Sequence, residues 1–432
     1  MRMNREVIPE PSLTMFPNRL NWFVTLKVAF TRKRCPNPND NTAKQSAFAH
    51  QNLSTPPQIN MKKSCVAICN GPWQMILALA SLMTRHGTSA PERSFHLVCL
   101  TKGLESNATT ALKQLSSQLS WWSTVHSVNT DGKASDFNSC AKTITNQLNT
   151  LRVDELWIPT ATKFEFTYFL DNFRDANCYI YEDGISSGDP HFVTGRDNPE
   201  PNAEACRLLR RTYRSLMASL RIAPYYEKSR NRLSHLNAIQ KGFQTCYLST
   251  PLAAAVRDFP YRVREIDSQH IFDILTQLKL NVAQYSIPLN AHWILDGNLS
   301  WQKLLSFEQE LEVYCRLITY FHERREAVVW KPHPRSKSRL TEAILDKSHG
   351  EVCVVPESAS GLPVELFYSN CRPQSVIGFS STSLLNASMY GINAFTLLRD
   401  ITSLNNENRP GSYARKLCET NVAPIQNLIP QF

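Results

Sequence analysis

From residue 65 onward the apolar and polar positions alternate between two periods. Short, nearly continuous apolar runs at Cys65–Cys69, Phe95–Leu100, Ser123–Val128, Glu155–Ile158 and Cys178–Tyr181 predict strands. Between them, Gln74–His86, Asn107–Leu119, Phe137–Asn149 and Phe164–Phe173 carry their apolar residues at helical spacing. Strands that are apolar on both sides belong to a parallel sheet covered on both faces, and strand–helix alternation implies βαβ units. A second series follows, with strands at Thr245–Leu248, Trp293–Leu295, Ala327–Trp330, Val352–Val355, Ser375–Gly378 and Ala394–Leu397. Its helices span Leu304–His322, Leu340–Asp346, Val364–Tyr368 and Thr382–Tyr390. The expected fold class is α/β: two Rossmann-like domains, 61–243 and 244–400, whose parallel sheets face a central cleft. A tail, 401–432, is long enough to cross back.

Residues 1–60 break this pattern. They hold seven prolines and many Asn, Ser and Gln residues, with one apolar patch at Trp22–Phe30. Such a composition buries too little to offset the entropy of ordering. This segment is expected to be disordered or an over-extended reading frame, with Met61 as the natural start. It also carries eight Lys and Arg against three acidic residues, which is half of the whole chain's charge of +10. The remaining body is only mildly basic. An acidic partner is favoured: nucleic acid, an anionic membrane face or an acidic polysaccharide. With no base-reading motif and no aromatic RNA-binding pattern, nucleic acid is not expected. The 12 cysteines form no CxxC pair and no zinc-ligand spacing, so neither a disulfide framework nor a metal site is indicated. The longest apolar stretch, Met75–Met83, is shorter than the roughly 20 residues of a membrane span and follows a strand rather than a basic leader. A cytoplasmic protein, at most peripheral on the inner face of the membrane, is the expectation.

Ligands of open parallel sheets bind outside the carboxyl ends of the strands, so the residues after each strand carry the chemistry. Glu182-Asp183-Gly184 follows the strand ending at Tyr181. Two adjacent carboxylates before a glycine suit a general base with a supporting partner, or simply a turn. Lys331-Pro332-His333-Pro334-Arg335 follows another strand; a histidine held between prolines in a cationic loop suits a leaving phosphate, or is a surface proline turn. Phe379-Ser380-Ser381-Thr382-Ser383 follows the strand ending at Gly378 and opens an apolar helix, where hydroxyls and free N–H groups suit an anion or serve as an N-cap. Gly71, Trp73 and Gln74 follow the first strand and either meet an acceptor or, for Trp73, anchor the helix. Arg207, Arg211, Arg214 and Arg221 share one face of a helical stretch opposite Leu209, Tyr213, Leu216 and Leu220. That face is either solvated or a platform for an anionic glycan or the inner leaflet.

The order Glu-Asp-Gly, His-Pro, Ser-Ser at corresponding strand ends, spread over residues 61 to 400, resembles the bacterial sialyltransferase and polysialyltransferase family. The resemblance implies a GT-B fold with a CMP-sialic acid donor and a cell-surface glycan acceptor. Glu182 or Asp183 would be the base. His333, Pro334, Lys331 and Arg335 would meet the CMP portion, and Ser380, Ser381 and Gly378 its phosphate. The residues agree with this chemistry independently: sialyl transfer must activate a hydroxyl and stabilise one departing phosphate in an oxocarbenium-like state. A monophosphate leaving group needs less neutralisation than a diphosphate, so direct displacement with inversion and no cofactor or obligatory metal is expected. Two alternatives remain open at this point: a transferase using CDP-glycerol or CMP-Kdo, and a noncatalytic polysaccharide- or nucleotide-binding subunit.

Overall fold

In a computed structural model, the described residues are 62–89, 92–101, 106–130, 134–160, 164–173, 175–184, 187, 245–256, 262–278, 282–302, 304–334, 338–398 and 412–431. All belong to one compact unit, Asn60–Phe432. The arginine face at 207–221 and Arg335 lie outside the described residues, as does the extension before residue 62.

Two wholly parallel sheets form the frame. The first contains β1 (Lys63–Cys69), β2 (Arg93–Thr101), β3 (Thr124–Asn129), β4 (Val153–Ile158), β5 (Asn177–Tyr181), β6 (Thr245–Ser249) and β7 (Arg262–Ile266), in the order β3-β2-β1-β4-β5-β6-β7. The second contains β8 (His292–Leu295), β9 (Val328–Lys331), β10 (Cys353–Val354), β11 (Ser375–Gly378), β12 (Asn393–Thr396) and β13 (Ala423–Pro424), in the order β10-β9-β8-β11-β12-β13. Each sheet starts in its middle, builds outward to one edge, then turns back to build the other, the Rossmann pattern. Two such sheets with a cleft between them make the GT-B layout.

Burial follows position in the sheet. From Ser64 to Cys69, β1 is buried at every residue because helices cover both faces, whereas the edge strands β3 and β7 keep exposed positions. The helix Pro72–His86 starts on proline, whose missing N–H has no intrahelical partner to lose, and ends at Gly87 with φ +82°. The helix Phe307–Glu323 starts later than its apolar run suggests because Ser306 and Gln309 close a reciprocal capping box there. Among the described residues no helix is long and apolar enough to cross a membrane.

Two expectations change. Thr245–Leu248, expected to begin the second series, pairs instead with β5 through Ile180–Cys246 and Tyr181–Tyr247, so it extends the first sheet. It is followed there by β7, whose sequence RVREI hides a strand behind exposed charges at the sheet edge. The second sheet therefore begins at His292 rather than near residue 244. The tail expected to cross back forms the helix Ser412–Asn421 and then β13, which pairs with β12 at the edge of the second sheet.

Candidate active site

The carboxyl ends of both sheets open onto one cleft of about 400 Å³. On the first wall, β1 runs into Asn70-Gly71 and the helix Pro72–His86. The Asn70 N–H donates to Gln74 Oε1 at 2.8 Å, which turns the Gln74 amide so that Nε2 donates to Asp183 Oδ1. Asp183 is also held by its own N–H, which donates to Ser187 Oγ. Gly184 follows with φ +87°, and a Cβ there would lie 2.7 Å from Thr382 Oγ1 on the opposite wall. Glycine is required twice over, by the turn and by the approach of the second sheet.

Glu182 takes the other direction. It is 0% exposed, and Oε2 accepts the Ser249 N–H of β6 at 2.8 Å while Oε1 has no hydrogen-bond partner. Burial, with smaller contributions from Glu365 and Asp183, pushes its carboxyl up to about 7 against the lowering effect of Ser249.

The second wall carries Lys331 to Pro334. The Lys331 ammonium is turned inward, donating to the Ser360 carbonyl at 2.5 Å and to the Pro332 carbonyl at 3.4 Å. Burial brings it down to about 7, although Glu365 and Asp296 oppose that shift. The His333 N–H donates to Asp296 Oδ2 at 3.2 Å. Glu365, 2% exposed, accepts from Asn386 Nδ2 at 2.9 Å, and burial raises its carboxyl despite that bond and the neighbouring Lys331. Ser381 caps the helix Thr382–Ala387, its Oγ accepting the Ser383 N–H at 3.2 Å.

Of the residues proposed from sequence, Gly71, Trp73, Gln74, Asp183, Lys331, His333, Pro334 and Ser381 line the cleft together. Glu182 lies behind it. Ser380 is half-buried beside it, and Gly378 is buried within β11 against Leu295 rather than lining it. Arg207, Arg211, Arg214 and Arg335 are outside the described residues. Thr382 and Ser383, which complete the hydroxyl-rich loop read from the sequence, line the cleft as well, whereas sequence reasoning missed Asp296 and Glu365 there. Asp296 had a usable signal, since it directly follows a strand; Glu365 had none, because its helix reads simply as apolar.

At the far end of the first sheet, Cys65, His86 and Glu155 place potential ligand atoms within 4.8 Å of one another. The Glu155 carboxylate there is shared by Arg85 Nε at 3.0 Å, His86 Nε2 at 2.9 Å and Arg93 at 3.7 Å, and it also accepts from Trp157 Nε1 at 3.1 Å. Burial alone would raise its carboxyl, but His86 and Arg85 outweigh burial and bring it down to about 2. Two guanidinium groups on the same carboxylate make this an ion-pair hub rather than a cation site.

The alpha-2,8-polysialyltransferase family profile matches residues 65–399. No curated protein sequence matches the chain. Solved structures similar to it include a family 9 glycosyltransferase from Veillonella parvula, at 9% identity and TM-score 0.39, covering 77% of this chain and 80% of that one. They also include the UDP-GlcNAc 2-epimerase of Methanocaldococcus jannaschii in complex with UDP-GlcNAc and UDP, at 12% identity and TM-score 0.45, covering 83% and 92%. A third is UGT71G1 of Medicago truncatula complexed with UDP-glucose, at 9% identity and TM-score 0.44, covering 78% and 80%.

Proposed function

The chain belongs to the alpha-2,8-polysialyltransferase family and is a glycosyltransferase, and from that premise we propose that it moves sialic acid from CMP-sialic acid to a hydroxyl of a cell-surface glycan with inversion. The observation that carries this reading is that Asp183 and His333 line opposite walls of the same cleft. Asp183 takes the proton of the acceptor hydroxyl as its oxygen bonds to the anomeric carbon. On the far side the bond from that carbon to the phosphate oxygen breaks, and CMP leaves toward His333 and the hydroxyls of Ser381, Thr382 and Ser383. With the base on one wall and the leaving group on the other, attack and departure occupy opposite faces of the sugar, which is the geometry of a single inverting displacement.

The two walls divide the remaining roles. Gln74 orients Asp183 through the Nε2 donor, and Glu182 is a buried neighbour rather than the base. Lys331 braces the His-Pro loop against Ser360 instead of offering its ammonium to the donor. A monophosphate leaving group met by a histidine and three hydroxyls calls for no resident metal. The arginine face at 207–221 would meet an anionic acceptor glycan or the inner leaflet.

The test is release of CMP from CMP-sialic acid by the purified chain, with and without oligosialic acid or lipooligosaccharide. Acceptor-stimulated release that falls by about 10²–10⁴ in Asp183→Asn and again in His333→Ala, with a measurable residue in each, is expected. Turnover of CDP-glycerol or CMP-Kdo in place of CMP-sialic acid would overturn the donor assignment.

A further inference from the structure

The turn Asp296-Gly297-Asn298 belongs to none of the three motif loops, yet it leaves β8 where the strand order of the second sheet reverses, between β8 and β11. That point is where parallel sheets hold their ligands. Asp296 is 7% exposed and lines the cleft. Its carboxylate is tied at both oxygens: Oδ1 accepts the Asn298 N–H at 2.7 Å and Oδ2 accepts the His333 N–H at 3.2 Å.

The turn itself has little freedom. Asn298 adopts φ +52°, the Gly297 N–H donates to the Tyr314 hydroxyl at 2.8 Å, and a Cβ on Gly297 would lie 2.9 Å from Phe379 Cδ2. The carboxylate therefore stands at a fixed place. The loop it reaches has only one backbone N–H donor, and the peptide plane that carries it is otherwise held by a long bond, 3.4 Å, from Lys331 Nζ to the Pro332 carbonyl. Pro332 and Pro334 carry no N–H, so within Pro332–Pro334 the sole main-chain donor is His333, and that donor is spent on Asp296. The prolines set their own φ, and Pro334 confines His333 to extended conformations. The orientation of the peptide plane between Pro332 and His333 is the main freedom left.

We propose that Asp296 is a positioning residue for His333, holding that peptide plane so that the imidazole faces the cleft. The activity readout rests on the sialyl-transfer reading; the geometric readout does not. Asp296→Ala, His333→Ala and the double variant are compared in CMP release from CMP-sialic acid by the full chain. Asp296→Ala is expected to lose about a hundredfold, the scale of a reacting group displaced by about 1 Å. Adding it to His333→Ala should change nothing further. Asp296→Asn, which keeps one acceptor oxygen, should recover part of the loss.

In parallel, the chain labelled with ¹⁵N-histidine reports the exchange of the His333 amide, identified by its absence in His333→Ala. The amide should be protected in the wild type and exposed in Asp296→Ala. Losses that multiply in the double variant, or an amide that stays protected without Asp296, would overturn the proposal. A wild-type chain that releases no CMP at all would sink the donor assignment instead, and the amide exchange then decides the positioning role alone.

Discussion

Replacing Glu182 by Gln separates two adjacent carboxylates that the sequence leaves equivalent. Burial raises the Glu182 carboxyl from 4.5 to about 7 in the folded chain, a shift of about 2.5 pH units. At about 1.4 kcal/mol per unit this is about 3 kcal/mol. The sign follows from which state binds the proton. Between the unfolded value and about 7 the folded state holds a proton that the unfolded state has released, so stability falls as pH rises through that window and the penalty is complete above it. Glutamine never ionises. Its carbonyl can take over the Ser249 N–H, but its amide nitrogen would occupy the place of Oε1, which has no partner, at a penalty of about 1–2 kcal/mol. Glu182→Gln should therefore be more stable than wild type at pH 8 by about 1–2 kcal/mol and, at pH 5, where the wild type carries only about 0.8 kcal/mol of the ionisation penalty, less stable by up to about 1 kcal/mol. Denaturant unfolding at the two pH values gives both numbers. CMP release by the variant, with Asp183 intact, should stay near the wild-type rate. A variant that is less stable at pH 8 would refute the burial argument, and one that is stable but inactive would return the role of base to Glu182.

Three further outcomes follow from the geometry. Gly184→Ala adds a methyl 2.7 Å from Thr382 Oγ1 on a backbone at φ +87°, and should lose about 2–3 kcal/mol; adding Thr382→Ala should restore the contact part in thermal unfolding but not the backbone part, and no recovery at all would sink the steric account. Glu155→Gln, 4% exposed among Arg85, His86 and Arg93, should lose about 3 kcal/mol near neutrality, from a carboxyl at about 2 against 4.5 unfolded. That stabilisation is present above 4.5 and lost as pH falls toward 2, so wild type and variant should converge in acid, with CMP release per folded molecule unchanged at the distant cleft. Prolonged dialysis against EDTA should leave the transfer rate unchanged; loss that returns on adding a divalent ion would show a metal requirement.

The sequence by itself determined the alternation of strand and helix, because a strand buried on both faces must be apolar throughout and a helix on a sheet must be apolar at every third or fourth residue. It also placed Asp183, His333 and Ser381 at strand ends, since the carboxyl edge is where a parallel sheet meets its ligand. It could not tell Glu182 from Asp183. Neighbouring residues leaving a strand point to opposite sides, and only the pairing of β5 with β6 brings the Ser249 N–H to Glu182 and leaves Asp183 to Gln74 and the cleft. The same pairing, between segments 67 residues apart, moved Thr245–Leu248 into the first sheet. Asp296 and Glu365 entered the site in the same way. Each is one unremarkable acid along the chain, and each gains its role from a partner on another element, the His333 N–H for Asp296 and Asn386 with Lys331 for Glu365. Periodicity along the chain records which side of an element is buried; what that side is buried against is decided only when the two sheets close on one another.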